Sequence, residues 1–319
     1  MADLLKTLKF VQGAVARKDF VAALTHFRIK DNQIIGYNGK MALGGPIDIE
    51  LNVTPKATPL VKAIATCKDT VAMHMTKAGR LAIKSGKFKA YIDCTEEVFP
   101  EIEPEGVEYE MPPGFLESVK QLAPYMAEDA SRPWAAGMLF RGTSIFATNN
   151  IVIVEKWVGE PFPVEVNVPR YAIKELLRIK EDPIKIQMTE SSITFHFEGG
   201  RWLRSQISTL DWPDIGRVLD IPSQAKTIDH EFFDLVEQLI PFTDDQDRVY
   251  FKGDVMTTHL EDELGSSFDH AGLPTEGVFK AKQLASLNGL ATHIDFNNYP
   301  APCPFFGDKL RGAIIGMRD

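Results

Sequence analysis

The stretch His259–His270, HLEDELGSSFDH, concentrates His259, Glu261, Asp262, Glu263, Asp269 and His270 within twelve residues. Imidazoles and carboxylates together can hold zinc or manganese and activate a water for hydrolysis. The spacing fits no standard zinc motif, however, and an acidic, Gly-Ser-containing run has the composition of a solvated loop. A second candidate, GYNGKMALGGP at 36–46, is glycine-rich but lacks the GxxxxGK[ST] arrangement. Met41 stands where a magnesium-binding hydroxyl is needed, so turn glycines are expected there. The seven histidines are scattered and define no Ser/His/Asp constellation. No catalytic residue, resident metal or cofactor is assigned, and the metal-dependent hydrolase built on 259–270 is the alternative reading.

A different chemistry is written in the cations. Arg170, Lys174 and Arg178 recur at i, i+4 and i+8, which places three positive groups on one stripe of a helix. Ile173, Leu176 and Leu177 fall on the opposite, core-facing side. Residues 54–68 hold Lys56, Lys62 and Lys68 without an acid, and residues 277–290 hold Lys280 and Lys282 without one. Lys6, Lys9, Arg17 and Lys18 lie near the start. The whole chain nevertheless has a net charge of −9. Cations gathered on a few helices of an acidic protein suggest one basic surface facing a polyanion, bound through its backbone without sequence choice. The helix expected over 231–240 departs from this pattern, with Glu231, Asp234, Glu237 and no cation.

The elements that would carry these charges repeat. VKQLAPY at 119–125 returns as VEQLIPF at 236–242, and LLKTLKFVQGAV at 4–15 is a weaker copy. VFPEI at 98–102 returns as DWPDI at 211–215. VTPKATPLVKAI (53–64), VPRYAIKELLRI (168–179) and FKAKQLASLNGL (279–290) open a second set of helices, with Pro55 and Pro169 expected in their first turns. Because the phrases recur in order, three homologous repeats are expected, 1–105, 106–221 and 222–319. Within the second repeat GMLFR, SIFATNN and IVIVEKW follow one helix, and IKIQM, ITFHF and RWLRSQIS follow the next. Helices grouped against mostly antiparallel strands make an α+β fold.

Composition sets the remaining bounds. The chain has 319 residues, 44% hydrophobic and 25% charged, which is ordinary for a globular protein with several cores. No run approaches the roughly 20 apolar residues of a membrane span. MADLLKTLKFVQGAVARK has lysines inside its apolar pattern, so no signal peptide and no membrane partner are expected. Cys67, Cys94 and Cys303 are odd in number and widely spaced, consistent with reduced thiols in a cytoplasm.

These phrases resemble the bacterial DNA polymerase III beta subunit, the sliding clamp family. The resemblance spans the chain and is best over 107–220, in GVEYEMPPGFLESVKQLAPYMAEDASRPWAAGMLF, NVPRYAIKELLRI and TLDWPDIGRVL. AIIGMRD is similar to the clamp tail, and the shorter chain suggests a phage or divergent version. The resemblance implies a DNA clamp fold with three repeated domains per chain, two helices packed on antiparallel sheets in each. It implies a head-to-tail homodimer that closes as a ring on double-stranded DNA, performs no chemistry itself, and tethers the replicative polymerase. A clamp loader and other proteins bearing a clamp-binding motif are further implied partners. Rings of three chains with two domains each are the nearer rival; three repeats favour the dimer.

By the same resemblance, DNA contacts map to Lys18, Trp134, Arg170 and Tyr171. Arg132 and Trp134, in DASRPWAAG, could offer a charge and a stacking face. With the cations read above, the DNA-facing set is Lys18, Lys56, Arg132, Trp134, Arg170, Tyr171, Lys174, Arg178 and Lys280. A partner-peptide pocket between the second and third repeats would be walled by Ala135, Thr148, Asn150, Ile153, Pro213, Arg217, Val218, Ile314, Ile315, Met317 and Arg318. Met317 supplies a floor able to repack. Where the family has a TDGHR-like segment this chain reads TNNIV, without the histidine and arginine.

Overall fold

A computed structural model of the chain describes residues 2–128, 131–261 and 263–318. Seven α-helices are present among them: α1 (Ala2–Val11), α2 (Ala57–Thr66), α3 (Phe115–Leu122), α4 (Arg170–Ile179), α5 (Gly216–Leu219), α6 (His230–Leu239) and α7 (Ala281–Ala285). None is long and apolar enough to cross a membrane.

The repeated heptads take one local form. α1, α3 and α6 each run into a 3-10 turn, Gln12–Ala14, Ala123–Tyr125 and Ile240–Phe242. Pro124 and Pro241 lack the N–H that would continue an α-helix, which is why the chain tightens there. In the first copy Gly13 takes that place. The aromatic that ends the phrase diverges. Tyr125 is buried and donates its hydroxyl to the Ser286 carbonyl at 2.7 Å, whereas Phe242 is 61% exposed. The second set of helices also forms, with α7 much shorter than FKAKQLASLNGL suggests. Pro55 and Pro169 precede their helices rather than entering them. Pro55 sits in a bridge to Cys94, Pro169 closes the strand Val166–Pro169, and it is Pro59 that lies within the first turn of α2.

The chain forms two compact units, residues 1–116 with 171–209 and residues 117–170 with 210–319. Their limits do not follow the repeat limits, because strands of consecutive repeats are hydrogen-bonded into one sheet. In unit 1, Met41–Pro46 pairs antiparallel with Arg201–Gln206 inside a seven-stranded sheet. In unit 2, Val152–Trp157 pairs with Leu310–Ile314 inside an eight-stranded sheet. Each unit adds a smaller sheet, three strands over Ala72–Ile92 and four strands over Arg248–Lys280.

Apolar faces at helical and two-residue periods make the cores. Unit 1 buries Leu8 and Val11 of α1, Ile173 and Leu176 of α4, and Phe195, which stacks on Phe115 at 6.2 Å. Unit 2 is built on Phe232, Phe251, Phe279 and Phe296, whose rings contact one another edge-on or tilted at 5.2–6.1 Å. Such pairs add about 0.5–1.5 kcal/mol each beyond burial.

Candidate functional site

The helix α4 shows what became of the cation stripe. Lys174 is exposed, as the spacing predicts. Arg170 is not a free cation. Its side chain is 22% exposed, it donates to the Ala127 carbonyl at 2.9 Å and the Met126 carbonyl at 3.3 Å, and it is paired with Glu128. Arg178 donates to Glu175 at 2.8 Å through Nε and to the Phe10 carbonyl at 2.9 Å. Glu175 is buried, so this pair lies half inside the core of unit 1. Gly13 makes room for it: a Cβ there would stand 1.8 Å from the Glu175 carboxylate. Among the described residues Lys174 thus has no ion-pair partner, while the arginines on either side of it are engaged by protein groups.

The other DNA candidates scatter similarly. Lys18 and Lys56 are exposed and, among the described residues, have no ion-pair partner. Tyr171 lies under the Lys40 ammonium, 5.8 Å from its ring centre. Lys280 is half-buried at the N-terminus of α7, while Lys282 is paired with Asp247 at 3.2 Å.

Trp134 is half-buried. It packs edge-on against Trp212 with ring centres 5.1 Å apart, on the margin of a cluster formed by Leu139, Phe146, Ile153, Trp212, Ile215, Leu219 and Ala313. Val218 packs on the same cluster. Three sequence phrases therefore meet in unit 2: SRPWAA, the strands of the second repeat, and DWPDIGRVL.

Of the residues expected to wall a peptide pocket, Ile153 belongs to that cluster and Val218 packs on it. The hairpin turn at 148–152 is held by Asn149, whose Oδ1 accepts from the Ile151 and Val152 N–H groups at 3.1 and 2.9 Å. Thr148 Oγ1 donates to the Val152 carbonyl at 2.8 Å and accepts from the Asn150 N–H. Asn150 takes a left-handed conformation (φ 73°), for which Asn is better suited than most residues. Its side chain accepts from Arg132 Nη1 at 3.2 Å, so Arg132, assigned above to DNA, sits with the pocket set. The terminal strand joins the same turn, since Ile315 N–H donates to the Ile151 carbonyl at 2.8 Å. Ile315 is 43% exposed, whereas Ile314 and Ala135 are fully buried. Pro213 and Arg217 are exposed, with Arg217 3.5 Å from Asp214. Met317 is half-buried and fixed by backbone: its N–H donates to Val278, and Tyr299 donates its hydroxyl to the Met317 carbonyl at 2.8 Å. Arg318 turns elsewhere, lining a hollow of about 400 Å³ with Glu276, Asn297 and Tyr299.

Residues that position this site escaped the sequence reading. Arg311 donates to Glu155 at 2.5 Å and to Asp220 at 2.8 Å, tying the terminal strand to the end of α5. No local signal marks it, because both partners are distant in sequence. Gly316 could have been noticed in IIGM: a Cβ there would stand 2.4 Å from the Tyr299 ring.

Of the hydrolase candidates, His259, Glu261 and Glu263 line one hollow, and Asp269 and His270 are not in its lining. His259 Nδ1 accepts from the Glu261 N–H at 3.0 Å, and His270 packs on the Phe232 ring with Nε2 3.6 Å from Asp229. Among the described residues no three His, Cys, Asp or Glu side chains come together as a metal site. Asp262 lies outside the described residues. GYNGKMALGGP forms a hairpin whose Gly39 has φ 90°.

No family model matches the chain, and no curated protein does. Solved structures do, over essentially the full length. The DNA polymerase beta subunit of Streptococcus pyogenes superposes with a TM-score of 0.84 at 13% identity, covering 100% of this chain and 98% of that one. The Caulobacter crescentus pol III beta gives 0.85 at 18% identity with the same coverage. The DNA polymerase III beta subunit of Pseudomonas aeruginosa gives 0.82 at 18%, covering 99% and 98%. At such identities the likeness is one of fold, over 99–100% of this chain.

Proposed function

We propose that this chain, which has the fold of the beta sliding clamps from end to end, is itself a sliding clamp. In this reading it closes as a ring on duplex DNA and tethers a replicative polymerase near the primer end. Tethering converts repeated encounters into an effectively intramolecular one and requires no chemistry from the clamp. The observation that carries the reading is the full-length superposition on three bacterial beta subunits. Its three repeats, 1–105, 106–221 and 222–319, would each contribute a wall segment, joined by the continuous sheets of units 1 and 2.

The reading includes a head-to-tail homodimer. Support comes from sheet edges: Phe88–Ile92 has only Leu81–Ser85 as a strand neighbour among the described residues, and its Tyr91 is 57% exposed. Phe242 supplies exposed apolar surface in the third repeat. Partner peptides of the polymerase, the loader and other clamp-binding proteins would dock over the Trp134–Trp212 cluster, beside the 148–152 turn and Ile315. With Arg132 and Arg217 at its rim, such an apolar floor would favour a peptide with apolar anchors and acidic flanks. DNA contact would fall to Lys18, Lys56, Lys174 and Tyr171, with Lys280 contributing less.

The test is retention on circular DNA after loading, with release on linearisation. A protein that is equally retained on linear and circular DNA, or on neither, refutes the clamp reading. Light scattering tests the stoichiometry: a mass of about twice 35.6 kDa supports the dimer, and about three times that supports the trimer instead. Removal of residues 316–319 is expected to abolish polymerase stimulation while leaving assembly intact; full stimulation rejects the docking site.

A further inference from the structure

The repeats can be aligned hydrogen bond by hydrogen bond. Asn38 Oδ1 accepts from the Lys40 and Met41 N–H groups, as Asn149 does from Ile151 and Val152. Ala16 N–H donates to Leu24 and Ala127 N–H to Ala135, while Gln206 N–H donates to Lys40 and Ile315 N–H to Ile151. This register makes Arg28 and Ile35 of unit 1 the counterparts of Leu139 and Phe146 in unit 2. The phrases VFPEI and DWPDI make Phe99 and Ile102 the counterparts of Trp212 and Ile215.

In unit 2 those positions form the packed cluster described above. In unit 1 the same place is a cavity of about 1000 Å³, lined by Arg28, Ile35, Phe99, Ile102, Met75 and Trp202 among others. The cause is in the residue types. A phenylalanine is replaced by a smaller isoleucine, a tryptophan by a phenylalanine, and a leucine by an arginine whose guanidinium donates at 2.6 Å to Asn52, another residue of the lining. Residues 94–104 cross this hollow without helix or strand, and so leave a groove beneath them.

Charge indicates what would fill it. The crossing segment contributes Glu96, Glu97, Glu101 and Glu103 to the lining, and among the described residues only the Glu97 carboxylate of these four accepts a hydrogen bond, from the Ala22 N–H. The cations nearby are engaged: Arg28 with Asn52, Lys30 with Asp31 at 3.9 Å, and Arg204 with Glu105 and the Glu103 carbonyl. Glu96, Glu101 and Glu103 are exposed and, among the described residues, their carboxylates have no partner. Phe99, Trp202 and Met75 give an apolar wall between them.

We propose that this cavity is a docking site for an extended basic peptide, an apolar residue entering against Phe99 and Trp202 while flanking lysines or arginines meet the glutamates. A volume of this size is that of a ligand site, and opposite charge at its mouth raises the rate of encounter. The chemistry is the reverse of that proposed for the unit 2 cluster, so the two sites would select different partners. The proposal concerns unit 1 alone and stands apart from the clamp reading.

Selection from a randomised decapeptide display library tests it. The intact protein is expected to enrich peptides with an apolar residue between Lys or Arg, and E96Q/E101Q/E103Q to reduce that enrichment at least tenfold. R28L/I35F copies the unit 2 residues, fills the hollow, and is expected to abolish enrichment with thermal stability kept. Absence of basic peptides from the wild-type selection overturns the proposal, as does their undiminished recovery on the filled variant. Retention of R28L/I35F on circular DNA is read in parallel. It is expected to be unchanged, so failure of the peptide site and failure of the clamp reading give different results.

Discussion

Arg170 and Lys174 lie one helical turn apart on α4, and replacing each by alanine should separate structure from DNA contact. For Arg170 the loss is mainly of two hydrogen bonds from a charged donor to the Ala127 and Met126 carbonyls. Such bonds contribute about 1.5–3 kcal/mol each, with the 3.3 Å contact at the low end. The ion pair to Glu128 adds little, because Glu128 is 83% exposed and screened by water. Arg170→Ala should therefore cost about 2–4 kcal/mol, which for a unit of this size lowers Tm by roughly 5–12 °C. Lys174→Ala removes an exposed side chain and should leave Tm within about 1–2 °C. Its effect belongs to DNA: the slope of log affinity against log salt should fall by about 1. Thermal unfolding and DNA retention across a salt series measure the two quantities. If Arg170→Ala leaves Tm unchanged yet weakens DNA retention as Lys174→Ala does, the assignment of Arg170 to the 126–128 segment is wrong.

Trp212→Ala should destabilise unit 2 by about 3–5 kcal/mol through the cavity it leaves among Leu139, Phe146 and Ile153, and should also weaken partner-peptide binding; calorimetry and peptide titration check both. Gly13→Ala should cost about 3 kcal/mol by driving the Glu175 carboxylate out of its place, and a Gly13→Ala/Glu175→Ala double variant should recover part of that loss in a denaturant titration. Acid unfolding offers a further check. Arg201 donates to Glu181 and holds its carboxyl below the ordinary 4.5, so this stabilisation is complete above that pH and is lost as pH falls through the depressed value. Glu181→Gln should lower stability at neutral pH and flatten that part of the acid limb, as measured by urea midpoints from pH 7 to pH 3.

Local chemistry determined much of this molecule. VKQLAPY and VEQLIPF become a helix and a tightened turn wherever they occur, because proline lacks an N–H in any context. The strands of the second repeat appear within a residue or two of where alternation places them. Helical spacing likewise put Ile173 and Leu176 in the core and Lys174 in water. What spacing could not settle was which charges remain free. A period of 3.6 residues assigns a face to Arg170 and Arg178, but their partners arrive from Ala127 and Phe10, far along the chain. The same holds for Trp134, which packs against Trp212 from a distant phrase. Residue types make the difference between Leu139 with Phe146 in one repeat and the hollow beside Ile35 in another, but only the three-dimensional packing shows that these positions correspond. Burial and ion pairing depend on what lies opposite, and that is set by long-range strand register rather than by neighbours in sequence.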